Sequence, residues 1–297
     1  EAMDYQFQQD DRPPRQQLFD FLAGKDLLLL LDNFEHLLDG SALVTEILQA
    51  APSVRILVTS RERLNLTGET VYNLRGMSLP TWESVEQAQQ SDAARLLLQA
   101  ARRMRPEFEL TPDNLPHFIQ ICHLAEGMPL AILLAASWLD ALTLPEIVAE
   151  IQKNVDFLET EMRDVPERQR SIRAVFESVW QRLEPAEQDV FARLSVFQGD
   201  CTREAAETIC GATLRILHSL VSRSLLIHTR QGRYHLHQLL RQYAQMQLDE
   251  VQQAALRTAH MNYYMQLVYD QGQQFYSASN QQVMRTLEET GLLAGTR

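Results

Sequence analysis

The first eighty residues alternate short, fully apolar runs with a stretch of helical periodicity. The run at residues 27–31 is five leucines, too short for a globular helix and typical of a central parallel strand covered on both faces. A helix is predicted over residues 37–50, and a second apolar run follows at 54–60. The pattern therefore predicts a β-α-β unit, and residues 69–74 favour a third short strand.

The rest of the chain is dominated by the 3.6-residue periodicity of amphipathic helices. Helical segments fill residues 91–158, and Pro129 and Pro145 lie where the first turn of a helix tolerates proline. A polar, arginine-rich stretch at 160–170 is predicted to be a connector. Further helices then lead into two β-prone runs around Gln231 and Gly232, an order typical of a winged helix.

Polar side chains follow both predicted strands at the point where each strand ends. Asp32 comes directly after the leucine run, and Arg61 comes just after the second strand. Ligands of open α/β sheets bind outside the carboxyl ends of the strands, and a carboxylate there suits a hydrated metal ion. Alternatively, Asp32 caps a helix that begins near Phe34.

The composition of the chain limits which functions and which cellular location are expected. The formal net charge of -12 argues against broad binding to nucleic acid or anionic lipid. The longest apolar stretch is shorter than a bilayer span, and the acidic amino terminus lacks the apolar core of a signal peptide. Three cysteines among apolar neighbours, Cys122, Cys201 and Cys210, indicate reduced core thiols. We expect a cytoplasmic protein without a membrane partner.

Four sequence blocks in order resemble the STAND class of signal-transduction ATPases, of the NB-ARC type and especially its bacterial regulators. They are the Walker B-like LLLLLDNFEHLL, then ILVTSRERL, GMPLA and HLHQLLRQYA. The resemblance covers most of the chain. It implies an α/β fold with a partial P-loop-type parallel sheet, followed by an all-α helical bundle and a winged-helix domain, mostly helical overall. The implied boundaries are 1–80 for the nucleotide-binding part, 81–160 for the bundle, 161–250 for the winged helix and 251–297 for a further helical region.

The resemblance assigns a role to each block. Asp32 would orient the water shell of Mg²⁺, and Arg61 would sense the terminal phosphate of ATP. Gly127 and Pro129 would form a turn against the adenine, and His237 would contact the β-phosphate of ADP. Exchange of ADP for ATP would then release the domains for self-assembly, so the implied partners are the nucleotide and the other domains of the parent chain.

Other features of the sequence weaken the case for catalysis. A P-loop needs G-x-x-x-x-G-K-[ST], and neither Lys25 nor Lys153 lies in that pattern. The chain is therefore expected to be a fragment that binds nucleotide weakly by itself, whereas the parent would be a slow ATPase. Asn33 stands where the family commonly has an acid, and Gln238 replaces the family's aspartate after His237. Glu35 could activate water instead, or it could simply stabilise the first turn of a helix.

Two functions from other classes remain open. The predicted winged helix could read DNA with the segment at 212–224, although only Arg215 and Arg223 flank its apolar stripe, which makes nucleic-acid binding through this region unfavoured. The absent P-loop, Asn33 and Gln238 favour a nucleotide-independent interaction scaffold. His235 and His237 could bind metal with Cys201 or Cys210, but no ligand spacing supports this.

Overall fold

The computed structural model describes residues 5–8, 12–82, 84–160 and 170–275, with side chains up to residue 270. The predicted connector at 160–170 and the end of the predicted C-terminal region lie largely outside these residues. The chain divides into two compact units. One is Glu1–Asn73 with Ser222–Ser224, and the other is Leu74–Val221 with Leu225–Arg297.

The first unit is built around a two-stranded parallel sheet. Strand β1 (Leu27–Leu31) pairs with β2 (Val54–Val58), and α2 (Ala42–Ala50) connects them. Helix α1 (Pro14–Leu22) precedes β1 and packs with α2 on one face of the sheet, around the buried Leu22. The predicted β-α-β unit is confirmed.

Three details of the predicted first unit are wrong. Residues 34–36 and 38–40 form two short 3₁₀ turns, and α2 begins only at Ala42, after the helix-weakening Gly40. Residues 69–74 form no strand, and Tyr72 and Leu74 there are exposed. The leucine strand is covered on one face only, because α1 and α2 contact the same side of the sheet. Leu28, Leu30 and Leu57 on the other side are each more than half exposed.

The second unit begins with a helical bundle. Four helices of nine to thirteen residues confirm the predicted segments, and a short helix, α3, precedes them. Pro129 and Pro145 lie in the first turns of their helices, as predicted. The bundle helices are α3 (Val85–Ala88), α4 (Asp92–Met104), α5 (Leu115–Leu124), α6 (Pro129–Ser137) and α7 (Leu144–Lys153).

Helices and a small hairpin complete the second unit. The hairpin turns at Gln231 and Gly232, as predicted, and Tyr234 and Leu236 are buried while His235 is half-buried. The elements are α8 (Ile172–Trp180), α9 (Pro185–Leu194), α10 (Arg203–Cys210), α11 (Leu214–Ser222), β3 (Ile227–His228), β4 (Tyr234–His235), α12 (Gln238–Met246) and α13 (Glu250–Phe275).

One continuous apolar core joins the bundle to these later elements. It includes Phe118 and Ile147 of the bundle together with Leu217 and Tyr243, all fully or almost fully buried. The three cysteines are free and buried, as expected for core thiols. Within the part of the chain that the structure describes, no helix has the length and apolarity to cross a bilayer.

Candidate functional site

The carboxyl edge of the small sheet gathers the polar residues of the first unit. Thr59, just after β2, donates its hydroxyl proton to a carboxylate oxygen of Asp32, just after β1. The same hydroxyl accepts the backbone N–H of Asn33 at 3.0 Å. Asn33 adopts a left-handed backbone conformation, with φ of 59°, which turns the chain sharply after the strand. Asp32 is thereby fixed at the edge by the neighbouring strand and does not cap the turn that follows, which has no side-chain cap.

Two further predicted site residues lie at this edge. Glu35 is in the first 3₁₀ turn with its side chain only 5% exposed, and the Nε atom of Arg61 lies 3.8 Å from its carboxylate. The Arg61 side chain is about half exposed. The structure therefore brings Asp32, Glu35 and Arg61 together in the first unit. No group of three or more His, Cys, Asp or Glu side chains among the described residues is arranged to hold a metal ion.

Gly127 lies in the second unit, in the turn between α5 and α6, and Pro129 is the first residue of α6. Gly127 has φ of 70°, and its carbonyl accepts the N–H of Met77 at 2.8 Å. A Cβ at Gly127 would overlap the Met77 carbonyl oxygen, and a Cβ at Gly76 would overlap the Glu126 carbonyl oxygen. The close approach that glycine permits is thus made here by a neighbouring backbone segment.

His237 lies against the same turn and uses both of its ring nitrogens. Nδ1 accepts the N–H of Leu239 and so caps α12, while Nε2 donates to the Ala125 carbonyl at 3.2 Å. This pair of contacts corresponds to a neutral ring with its proton on Nε2. Burial lowers the pKa of His237, although the Glu126 carboxylate opposes that shift.

His235 lies between two carboxylates. Its Nε2 is 3.1 Å from an oxygen of Glu126, and its Nδ1 is 2.8 Å from an oxygen of Asp200. The hydrogen bond to Glu126 raises the pKa of His235 to about 9, against the opposing effect of burial and with the support of Asp200. The other Glu126 oxygen accepts the backbone N–H of Gln238 at 2.7 Å.

Residues 183–249 match the family of winged helix-turn-helix domains. This segment is a winged helix-turn-helix domain. It contains α9 to α12 and the β3–β4 hairpin, which confirms the predicted winged helix.

Relatives of the chain include proteins named as transcriptional regulators. A protein named as an HTH-type transcriptional regulator in Mycobacterium tuberculosis is 32% identical over 258 residues, which cover 83% of this chain and 28% of the relative. The regulatory protein AfsR of Streptomyces griseus is 30% identical over 247 residues, covering 80% of this chain and 23% of AfsR. The chain thus spans about a quarter of the length of these relatives.

A solved structure with a weaker similarity is the STAND protein with a tetratricopeptide repeat sensor from Pyrococcus horikoshii. It is 18% identical, with a TM-score of 0.30, and the match covers 85% of this chain and 32% of that one. A TM-score of this size does not establish a shared fold.

Helix α11 is the second helix of the helix-turn-helix and would face DNA in a groove-reading domain. Leu217 and Leu220 on one side are fully buried, so the predicted apolar stripe is a packing surface. The exposed side carries Leu214, Arg215 and His218. A helix that reads base edges usually presents several basic or amide side chains, and this face has a single arginine.

Sequence reasoning missed the carboxylates around His235. Glu126 and Asp200 are far from it along the chain, and no spacing rule links them. A signal was present at Glu126, because it is the one charged residue in the otherwise apolar stretch LAEGMPLA at residues 124–131. The sequence suggests a role for His235 only as a metal ligand, whereas its neighbours in the structure are the carboxylates of Glu126 and Asp200.

Proposed function

We propose that this chain is the switch region of a nucleotide-dependent STAND-type regulator of the NB-ARC kind, in which ADP favours a closed state and ATP an open one. The supporting observation is the polar edge formed by Asp32, Thr59, Glu35 and Arg61 at the carboxyl ends of two parallel strands. Ligands of α/β sheets bind at such an edge. The similarity to proteins named as regulators supports the regulatory part of the proposal.

In this function, each residue at the edge has a separate chemical task. Asp32, oriented by the Thr59 hydroxyl, would hold the water shell of Mg²⁺. Arg61 would bind the terminal phosphate through charge-assisted hydrogen bonds, and Glu35 would orient a water molecule. The sequence has no G-x-x-x-x-G-K-[ST], the motif whose backbone amides cradle the phosphates in P-loop proteins.

His237 would act on the second unit as the sensor of ADP. Its Nδ1 is occupied in capping α12, so Nε2 is the ring nitrogen that would bind a phosphate. To do so, Nε2 would have to break its hydrogen bond to the Ala125 carbonyl. The contact with ADP and the contact with Ala125 would therefore exclude each other. Gly127 and Pro129 would form the turn next to this position, as the resemblance implies.

The test is nucleotide binding by the full-length protein, measured by calorimetry with ADP and with Mg-ATP. Arg61→Ala should weaken ATP binding by about tenfold or more and ADP binding much less, because a charged hydrogen bond to the terminal phosphate is lost. Asp32→Asn should reduce the gain in ATP affinity that Mg²⁺ gives. Arg55→Ala is the matched control, since Arg55 is an exposed arginine on β2 away from the carboxyl edge.

Two results would contradict the proposal. One is that the full-length protein binds neither nucleotide, which would favour the scaffold function. The other is that Arg61→Ala and Arg55→Ala have equal effects on ATP binding.

DNA binding is a second candidate, because residues 183–249 match winged helix-turn-helix domains and relatives are named as HTH-type regulators. Binding to duplex DNA that weakens steeply with salt and with Arg215→Ala would favour it.

A further inference from the structure

We propose that Glu126 is a latch that ties the helical bundle to the winged helix-turn-helix domain through a carboxylate–imidazolium–carboxylate bridge with His235 and Asp200. The latch goes beyond the proposed nucleotide switch, because its contacts are made entirely between residues of this chain and need no ligand. It is a contact between these two parts of the second unit that is built into the fold.

Glu126 makes contacts with the winged domain through both carboxylate oxygens. One oxygen accepts the Gln238 N–H at 2.7 Å, at the start of α12, and the other lies 3.1 Å from Nε2 of His235. His237 Nε2 lies 4.0 Å from the same second oxygen. A single side chain of the bundle thus meets the end of β4 and the beginning of α12.

His235 connects this carboxylate to a second one on the winged domain. Asp200, between α9 and α10, lies 2.8 Å from Nδ1 of His235, and its backbone carbonyl accepts a hydrogen bond from Arg233 at 2.7 Å. With an acceptor at each ring nitrogen, the geometry demands a proton on both, so His235 is a cation between two anions. The side chains of Glu126, His235 and Asp200 are each between 24% and 33% exposed, which protects the bridge from full solvent screening.

The backbone of Glu126 is a second, independent observation. Its φ is 45°, in the left-handed region that disfavours side chains with a Cβ. Glycine would relieve this strain, and the next residue is in fact a glycine with φ of 70°. Strained residues persist where the surrounding contacts over-determine them, and Glu126 is held by its backbone N–H bond to the His123 carbonyl and by the contacts of its carboxylate.

The charges around the bridge agree with this arrangement. Burial by itself raises the pKa of Glu126, but the hydrogen bonds from His235 and from the Gln238 N–H lower it below its usual range. Arg241 on α12 is also within electrostatic reach of Glu126, and Arg233 lies beside Asp200. The titratable and charged groups around the bridge thus include two acids, the neutral His237 and these two arginines.

The decisive variant is Glu126→Gly. Relief of the backbone strain alone would raise the melting temperature, whereas loss of the latch lowers it, and we expect a fall of about 4 °C or more. Unfolding is followed by tryptophan fluorescence, because Trp82, Trp138 and Trp180 all lie in the second unit. A melting temperature that stays the same or rises overturns the proposal.

A second measurement remains informative if Glu126→Gly fails to fold. NMR titration of the wild-type protein should place the midpoint of His235 near pH 9, and Glu126→Gln should move it down toward the ordinary value of 6.5. A wild-type midpoint near 6.5, or the same midpoint in both proteins, overturns the latch. Neither experiment uses nucleotide, so the latch and the nucleotide switch can fail separately.

The latch also predicts how its contribution depends on pH. The folded-state pKa of His235 lies above its ordinary value, so its stabilisation is fully present below pH 6.5 and is lost as the pH rises through about 9. The difference in melting temperature between wild type and Glu126→Gln should shrink over that range. Burial of the cysteine thiols, which raises their pKa to about 12, also lowers stability at high pH, but equally in both proteins.

Discussion

Gly127→Ala should destabilise the second unit by about 2 to 5 kcal/mol, as the sum of a left-handed backbone penalty and a steric overlap. Gly127 has φ of 70°, and an added Cβ would overlap the Met77 carbonyl oxygen and lie 2.8 Å from the Met77 nitrogen. Both obstructing atoms are backbone, held by the hydrogen bond from Met77 to the Gly127 carbonyl. They are unable to rotate away as the end of a side chain would. Chemical denaturation followed by tryptophan fluorescence measures the loss.

Gly211→Ala is the matched control for this prediction. Gly211 ends α10 with the same φ of 70°, but nothing lies within 4 Å of the position that its Cβ would take. It therefore carries only the backbone penalty, about 1 kcal/mol. Equal losses of unfolding free energy in the two variants would show that the backbones of Met77 and Gly127 are not in tight contact. The steric reason for glycine in this turn would then be removed.

Leu217→Ala should cost about 2 to 5 kcal/mol, the usual cost of truncating a fully buried leucine. Leu217 lies at the centre of α11 with no exposed surface, in the core that the bundle shares with the winged helix-turn-helix domain. Truncation leaves a cavity that the surrounding helices fill only in part. The measurement is again the free energy of unfolding from denaturant titration.

Leu214→Ala on the same helix is its control, because the Leu214 side chain is 58% exposed. Its free energy of unfolding should stay within about 0.5 kcal/mol of wild type. A large loss from Leu214→Ala, or a negligible one from Leu217→Ala, would reverse the assignment of the packed and exposed faces of α11. DNA binding by α11, the second candidate function, would use the exposed face, so this pair also shows which side a DNA-binding experiment should change.

The secondary structure was predictable where local pattern and packing agree. The leucine strand and the strand at residues 54–58 are short apolar runs, and the bundle helices have clear periodicity with caps or prolines at their starts. The third strand failed because residues 69–74 are β-prone without a neighbouring strand to pair with. The prediction that helices cover both faces of the leucine strand was also wrong. The apolar pattern of a strand does not show on which faces of the sheet helices pack.

The sequence predicted those parts of the candidate site whose residues lie close together along the chain or at the ends of adjacent strands. Polar residues at strand ends identified the edge with Asp32 and Arg61, since parallel strands bring their carboxyl ends together. The bridge from Glu126 through His235 to Asp200 joins residues more than thirty positions apart. Only tertiary packing places them in contact, and His235 has a raised pKa only because of that packing.

Hydrogen exchange at the start of α12 tests the central claim, a nucleotide-dependent closed state, most directly. The Gln238 N–H is held by Glu126 of the bundle, whereas the Leu239 N–H is held locally by His237. In the full-length protein, the account predicts slow exchange of both amides with ADP, and with Mg-ATP a faster exchange of Gln238 alone. Equal exchange of Gln238 with ADP and with Mg-ATP would contradict the account.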